Sequence, residues 1–147
     1  MIGKIAIGSD HAGFSLKKEI IEYLKSKNIV VLDCGTYFEE SCDYPDYAKI
    51  VAEKVSSKEV DAGILFCGTG IGVSIAANKV KGVRAALVWN SETASLAKRH
   101  NDANIICIGA RFIAPFYAKI IIDSFLNSEF EAANHERRVN KISKMEI

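Results

Sequence analysis

Asp61-Ala-Gly-Ile-Leu-Phe-Cys67-Gly-Thr-Gly-Ile-Gly72-Val-Ser decides the fold of this 147-residue chain. Ile64, Leu65 and Phe66 form a short apolar run, the pattern of a parallel strand covered on both faces. Gly68, Gly70 and Gly72 come next and permit backbone angles and close approaches that side chains forbid. From Val73 onward, Ile75, Ala76, Ala77 and Val80 support a helix. A strand, a glycine turn and a helix in that order present free N–H groups to an anion or a developing negative charge. Cys67 stands at the carboxyl end of the strand beside that positive patch, where a thiol ionises more readily than in an apolar core.

The turn is none of the common phosphate loops. A dinucleotide fingerprint needs a third glycine at position 73, which is Val73, and a Walker A loop needs Gly-Lys-Ser/Thr. A phosphatase-type cysteine would need an arginine at that same position. Turn geometry without chemistry is the plain alternative, and the cysteine set against the turn is what argues for a site.

Outward from this stretch, strands and helices alternate. Lys4–Ser9 reads as a first strand ending in the turn Asp10-His11-Ala-Gly13. A helix with Leu16, Ile20 and Leu24 on one face follows, closed by Asn28. Ile29–Leu32 is the second strand, ending at Asp33-Cys-Gly35, and residues 36–43 are a polar loop. Tyr44-Pro45-Asp46 opens a helix, with Pro45 in its first turn and Ile50, Val51 and Val55 facing inward. Val83–Val88 is the fourth strand, and Ser91 caps a helix that runs to Asn101. Asn104–Ile108 is the fifth strand, closed by Gly109-Ala-Arg111, and a helix from Pro115 to Leu126 completes the alternation.

This order implies a single-domain α/β fold spanning residues 1–147. Its core is a doubly wound, five-stranded parallel sheet, Rossmann-like, with helices on both faces. Ligands then collect outside the carboxyl ends of the strands. Residues 128–147 read as a C-terminal helical tail, with His135, Arg137, Arg138 and Lys141 around an apolar stripe of Val139, Ile142 and Met145. Such a stripe at the end of a domain is expected to pack on a partner subunit.

Composition narrows the function. A chain of this length buries ~70% of its unfolded surface. The net charge of +1 argues against a general nucleic-acid surface. No apolar run approaches the ~18 residues of a membrane span, and the N-terminus enters a strand without a signal peptide. Cys34, Cys42, Cys67 and Cys107 have neither metal-site spacing nor a disulfide framework. The expected location is the cytoplasm.

The strand ends gather Asp10, His11, Cys67, Gly68, Thr69, Asn90, Ser91 and Arg111. Each has a bland role open to it: Asp10 caps a helix, His11 is solvated in a turn, Arg111 pairs with a surface carboxylate, and Arg137 and Arg138 form a wet helix face. His100 and Asn101 close the fourth helix, which returns toward the opposite edge of the sheet. Alternation therefore sets His100 away from Cys67 unless a loop or a second subunit brings it in.

Gly8-Ser-Asp-His-Ala-Gly13, Asp43-Tyr-Pro45, Cys67-Gly-Thr-Gly-Ile-Gly72, Ala76-Ala-Asn-Lys79, His100-Asn-Asp, Ile108-Gly-Ala-Arg111 and His135-Glu-Arg-Arg138-Val together resemble ribose-5-phosphate isomerase type B, within a wider family of galactose- and allose-phosphate isomerases. The resemblance spans nearly the whole chain in order. It implies an aldose–ketose isomerase that works through an enediolate and needs neither metal nor redox cofactor. It implies a homodimer or dimer of dimers with sites shared between subunits, acting on a small sugar phosphate.

By the same resemblance Cys67 is the base, His100 opens the sugar ring, and Asp10 and Thr69 position hydroxyls. Backbone N–H groups of Gly68, Thr69, Gly70, Ile71 and Gly72 hold the enediolate oxygen. Asn101 and Tyr44 line the substrate, and His11, Arg111 and Arg138 take the phosphate. A free thiol, pKa about 8.5, is only a few per cent ionised at pH 7, so the base needs help from the turn. The chain departs from the family where Asn134 replaces the first arginine of an Arg-His-x-x-Arg motif, and Arg137 is the candidate to compensate. A different class stands beside this: a nucleotide-binding module in which Asp33 holds a ribose hydroxyl. That reading predicts indifference to loss of Cys67.

Overall fold

A computed structural model describes residues 1–147. Five strands, β1 (Lys4–Ser9), β2 (Val30–Asp33), β3 (Ala62–Cys67), β4 (Ala85–Leu87) and β5 (Ile105–Gly109), form one parallel sheet in the order β2-β1-β3-β5-β4. The helices are α1 (Phe14–Ser26), α2 (Tyr44–Ser56), α3 (Ile71–Ala77), α4 (Ser91–Asn101), α5 (Pro115–Leu126) and α6 (Ala133–Ser143). The three inner strands are the apolar ones, buried along nearly all their length, while β2 and β4 are only partly buried at the edges.

Alternation within each strand feeds two cores. Ile5, Ile7, Ile64, Phe66, Ile106 and Ile108 pack against α1, α4 and α5 through residues such as Leu16, Ala94 and Phe125. Ala6, Leu65, Cys67, Ile105 and Cys107 face the other way, toward Val51 and Val55 of α2 and Val73 of α3. Helices thus cover both faces, as parallel strands require. Strand order reverses between β1 and β3, and the ends of these two strands form the crevice where such sheets place ligands.

Local chemistry sets the element ends. Asn28, at φ 63°, takes the left-handed conformation that stops α1. The cap of α4 is Asn90 and not Ser91: its side chain accepts from Thr93 N at 2.7 Å, and the Thr93 hydroxyl accepts from Asn90 N at 3.3 Å. In α2 the buried stripe is Ala48, Val51, Ala52 and Val55, which leaves Ile50 exposed rather than inward. The regular helix of the tail begins at Ala133, with Val139 buried against the domain and Ile142 and Met145 exposed.

Lys17 is wholly buried and ion-pairs with Asp33, whose side chain is 37% exposed. Its ammonium also lies over the rings of Phe14 and Tyr37, at 5.6 and 5.5 Å from their centroids. Breaking this pair is expected to be asymmetric. Asp33→Asn strands a buried ammonium and should cost about 3 kcal/mol. Lys17→Met leaves a carboxylate that water reaches and should cost about 1 kcal/mol. Urea unfolding of both variants checks this, and equal costs would contradict it.

Candidate active site

The turn after β3 is built by close approach. Gly70 adopts φ +77°, and a Cβ there would stand 3.0 Å from both Gly109 N and Ile108 C. A Cβ on Gly109 would lie 2.6 Å from Thr69 O. The turn is bonded to the end of β5 as well, with Ala110 N donating to Cys67 O at 2.8 Å and Arg111 N to Gly68 O at 3.1 Å. Glycine is required here because backbone meets backbone.

Cys67 is buried at the carboxyl end of β3, and Gly70 N–H donates to its Sγ at 3.2 Å. Ile71 N–H donates to Thr69 Oγ1 at 3.1 Å. Two of the five N–H groups expected to face substrate are therefore used within the turn. Those of Gly68, Thr69 and Gly72 have no acceptor in the chain and are the ones free to hold an oxyanion.

Other expected residues converge on this turn. Arg111 folds back so that its guanidinium covers Gly68, 2.7 Å from where a Cβ would be, and the Tyr44 ring lies equally close over Gly72 at 2.5 Å. Asp10 ends β1 next to Phe66, whose carbonyl accepts its N–H at 3.3 Å. Its Oδ1 accepts from Ala12 and Gly13 N–H at 3.0 and 3.2 Å, which fixes the carboxylate at the head of α1. His11 Nδ1 accepts from Cys42 N–H at 3.2 Å. The neutral ring therefore carries its proton on Nε2, which points a donor away from the loop.

The remaining expected residues lie elsewhere. α4 carries the chain from the carboxyl edge to the amino edge, about 16 Å for its 11 residues. Its end is tied down there, as Arg84 Nε donates to Asn101 O at 3.1 Å and Asp102 O at 2.9 Å just before β4 begins. His100 and Asn101 are thus at the far edge from Cys67 of the same chain. Arg138 belongs to α6, which lies against α4, and is exposed one turn on from His135.

Three residues at that edge were not expected. His135 stacks on His100 with ring centroids 4.0 Å apart and planes 12° from parallel. Glu131 Oε1 stands 3.5 Å from His100 Nε2, and Arg99 grips the other oxygen of Glu131 at 2.7 Å. The hydrogen bond from Arg99 holds the Glu131 carboxyl below the usual range, aided by the charge of Arg99, His100 and His135. His135 is visible in the sequence as part of the tail's basic run and of the motif His135-Glu-Arg-Arg138, neither of which pairs it with His100. Glu131, in the link before α6, gives no local signal.

Donor atoms of His100, Glu131 and His135 lie within 4.8 Å of one another. Nearly parallel rings cannot both aim an in-plane lone pair at one ion, and Arg99 already takes Glu131, so the trio is a charge cluster rather than a metal cage. Cys107 is fully buried behind Cys67. Burial, and then the neighbouring thiol, push its pKa far above the ordinary thiol range; burial also raises that of Cys34. Neither supplies a thiolate at neutral pH. Asp33, the residue a nucleotide site would use, already accepts from Lys17 and from Gly35 N–H.

Comparison with known proteins follows the same residues. Positions 5–142 match the ribose/galactose isomerase family. Ribose-5-phosphate isomerase B of Escherichia coli is 46% identical, over 97% of this chain and 96% of that protein. The solved ribose-5-phosphate isomerase B of Clostridium thermocellum is 50% identical with a TM-score of 0.96, covering 97% of this chain and 96% of its own. That of Mycoplasma genitalium, solved with bound ribulose-5-phosphate, is 48% identical with a TM-score of 0.94, over 97% and 95%. No helix here is long and apolar enough to cross a membrane. The match runs through both strand ends of the crevice, the glycine turn and the tail, and the chain is an isomerase of the ribose/galactose isomerase family.

Proposed function

We propose that the chain interconverts ribose 5-phosphate and ribulose 5-phosphate, with Cys67 as the base. The observation that carries this is the thiol of Cys67 set into a turn with an N–H donor at 3.2 Å and three free N–H groups beside it. Cys67 takes the C2 proton of the open-chain aldose, and the electron pair forms the enediolate. The N–H groups of Gly68, Thr69 and Gly72 hold its oxygen, a role that contributes ~3–4 kcal/mol per donor. The hydroxyl proton on O2 passes to O1, and return of the abstracted proton to C1 leaves C2 as the carbonyl of the ketose.

His100 protonates the ring oxygen so that the furanose opens, and Asp10 and Thr69 hold the sugar hydroxyls. Asn101 and Tyr44 line the substrate. The phosphate is held by His11, through its Nε2–H, and by Arg111 and Arg138, whose planar forks suit a dianion. Asn134 lies outside this set.

Cys67 and His100 stand at opposite edges of one chain, so a site that uses both draws His100, Asn101 and Arg138 from a second copy. The reading is therefore a homodimer, or a dimer of dimers, with shared sites. The exposed Ile142 and Met145 of the tail support it as apolar groups in want of a partner. Free cysteines, three of the four buried, accord with a cytoplasmic enzyme.

The test is interconversion of the two pentose phosphates by the pure protein with chelator present. Turnover that chelator leaves intact is expected. Absence of turnover on ribose 5-phosphate, with turnover of allose 6-phosphate or galactose 6-phosphate instead, would move the substrate to a six-carbon sugar.

A further inference from the structure

Glu131 is exposed, yet it is held at several points. Its backbone N–H donates to Arg99 O at 3.0 Å, and Arg99 Nε and Nη2 both reach its Oε2 at 2.7 Å. That leaves Oε1 as the free oxygen, 3.5 Å from His100 Nε2. His135 covers one face of the same imidazole. The titratable and charged groups around His100 are thus Glu131 from the link before α6, Arg99 from its own helix and His135 from α6. Glu131 alone among them is an anion. A carboxylate at one ring nitrogen and a stacked ring on one face leave Nδ1 as the nitrogen able to meet a substrate. A carboxylate set at one ring nitrogen in this way orients the imidazole and decides which nitrogen faces the substrate.

We propose that Glu131 is a positioning residue for His100: its Oε1 orients the ring and offsets the imidazolium charge, so that Nδ1–H is presented to the ring oxygen of the sugar. The inference rests on the reading of His100 as the ring-opening acid. In that step the bond from C1 to the ring oxygen breaks and its electron pair stays on oxygen, which takes the proton from Nδ1. The anomeric hydroxyl loses its own proton to water as C1 becomes the carbonyl. Arg99 clamps the carboxylate and His135 keeps the ring from tilting.

The two directions of the reaction separate this role from simple structural support. Ribose 5-phosphate enters as a ring. Ribulose 5-phosphate has no furanose, because the hydroxyl that would close one carries the phosphate, and exchange of its C1 proton with solvent deuterium needs only the base. In Glu131→Gln, kcat from ribose 5-phosphate should fall about tenfold with KM within twofold, while C1 exchange should fall less than threefold. His100→Ala, run beside it, should split the two rates in the same direction and further. Equal losses of both rates in Glu131→Gln would make its role structural and overturn the inference. So would an unchanged kcat in Glu131→Gln while His100→Ala still splits. Equal losses of both rates in His100→Ala would instead sink the ring-opening reading itself.

Discussion

Cys67→Ala is expected to lower kcat/KM for ribose 5-phosphate by about three orders of magnitude, the scale of losing a general base. That corresponds to roughly 4 kcal/mol of transition-state stabilisation. No neighbour can substitute. Cys107 lies behind it on β5, but burial, the larger cause of its raised pKa, keeps its proton on even with the Cys67 thiol removed. Asp10 is fixed by two N–H groups at the head of α1. The fold should hardly notice, since one sulfur is exchanged for hydrogen at a site 4% exposed, at a cost of about 1 kcal/mol. Steady-state kinetics and a thermal melt of the variant measure the two effects separately. Activity within tenfold of the parent would assign the proton transfer to another residue.

Gly70→Ala should damage both stability and catalysis. The residue sits at φ +77°, where an alanine costs about 1 kcal/mol or more. The added carbon would meet Leu87 Cδ1 at 2.7 Å and the backbone of Ile108 and Gly109 at 3.0 Å. Leu87 can turn away, but the backbone of β5 cannot, and crowding of this kind costs about 1–3 kcal/mol. Together these predict a loss near 3 kcal/mol and a melting point lower by about 10 °C. Moving the turn also moves the N–H of Gly70 off Sγ and the three free N–H groups off the place proposed for the oxyanion, so kcat should fall at least a hundredfold. A variant that melts with the parent and turns over normally would mean the turn tolerates a side chain.

Much of this was legible in the chain itself. The apolar run Ile64-Leu-Phe66 and the glycines after it mark a buried strand and a backbone-lined turn, because both are local demands on residue type. Asp10 and Arg111 lie at strand ends, and strand ends in a parallel sheet share one edge. Helix phase was harder: Ile50 is apolar, but Ala48 and Ala52 are small enough to let α2 settle close to the sheet, and they carry the stripe instead. Asn90 outranks Ser91 as a cap because Thr93 sits three residues on to complete the pair.

Strand order is a tertiary outcome. β5 is apolar throughout and takes the inner place beside β3, which leaves the three-residue β4 at the edge. The His100 cluster lay beyond reach for the same reason. His100, Glu131 and His135 meet only once α6 folds back on α4, and no periodicity links positions so far apart.

Whether two copies build each site can be measured directly. Cys67→Ala and His100→Ala are each expected to be nearly inactive on ribose 5-phosphate. Coexpressed and allowed to mix, they should form heterodimers in which one site would combine the intact Cys67 of one subunit with the intact His100 of the other. About a quarter of the parental activity should return, since half the dimers are mixed and one site in two is whole. If the mixture stays as inactive as its components while heterodimers are present, Cys67 and His100 do not act in a site shared between copies, and the account is wrong at its centre.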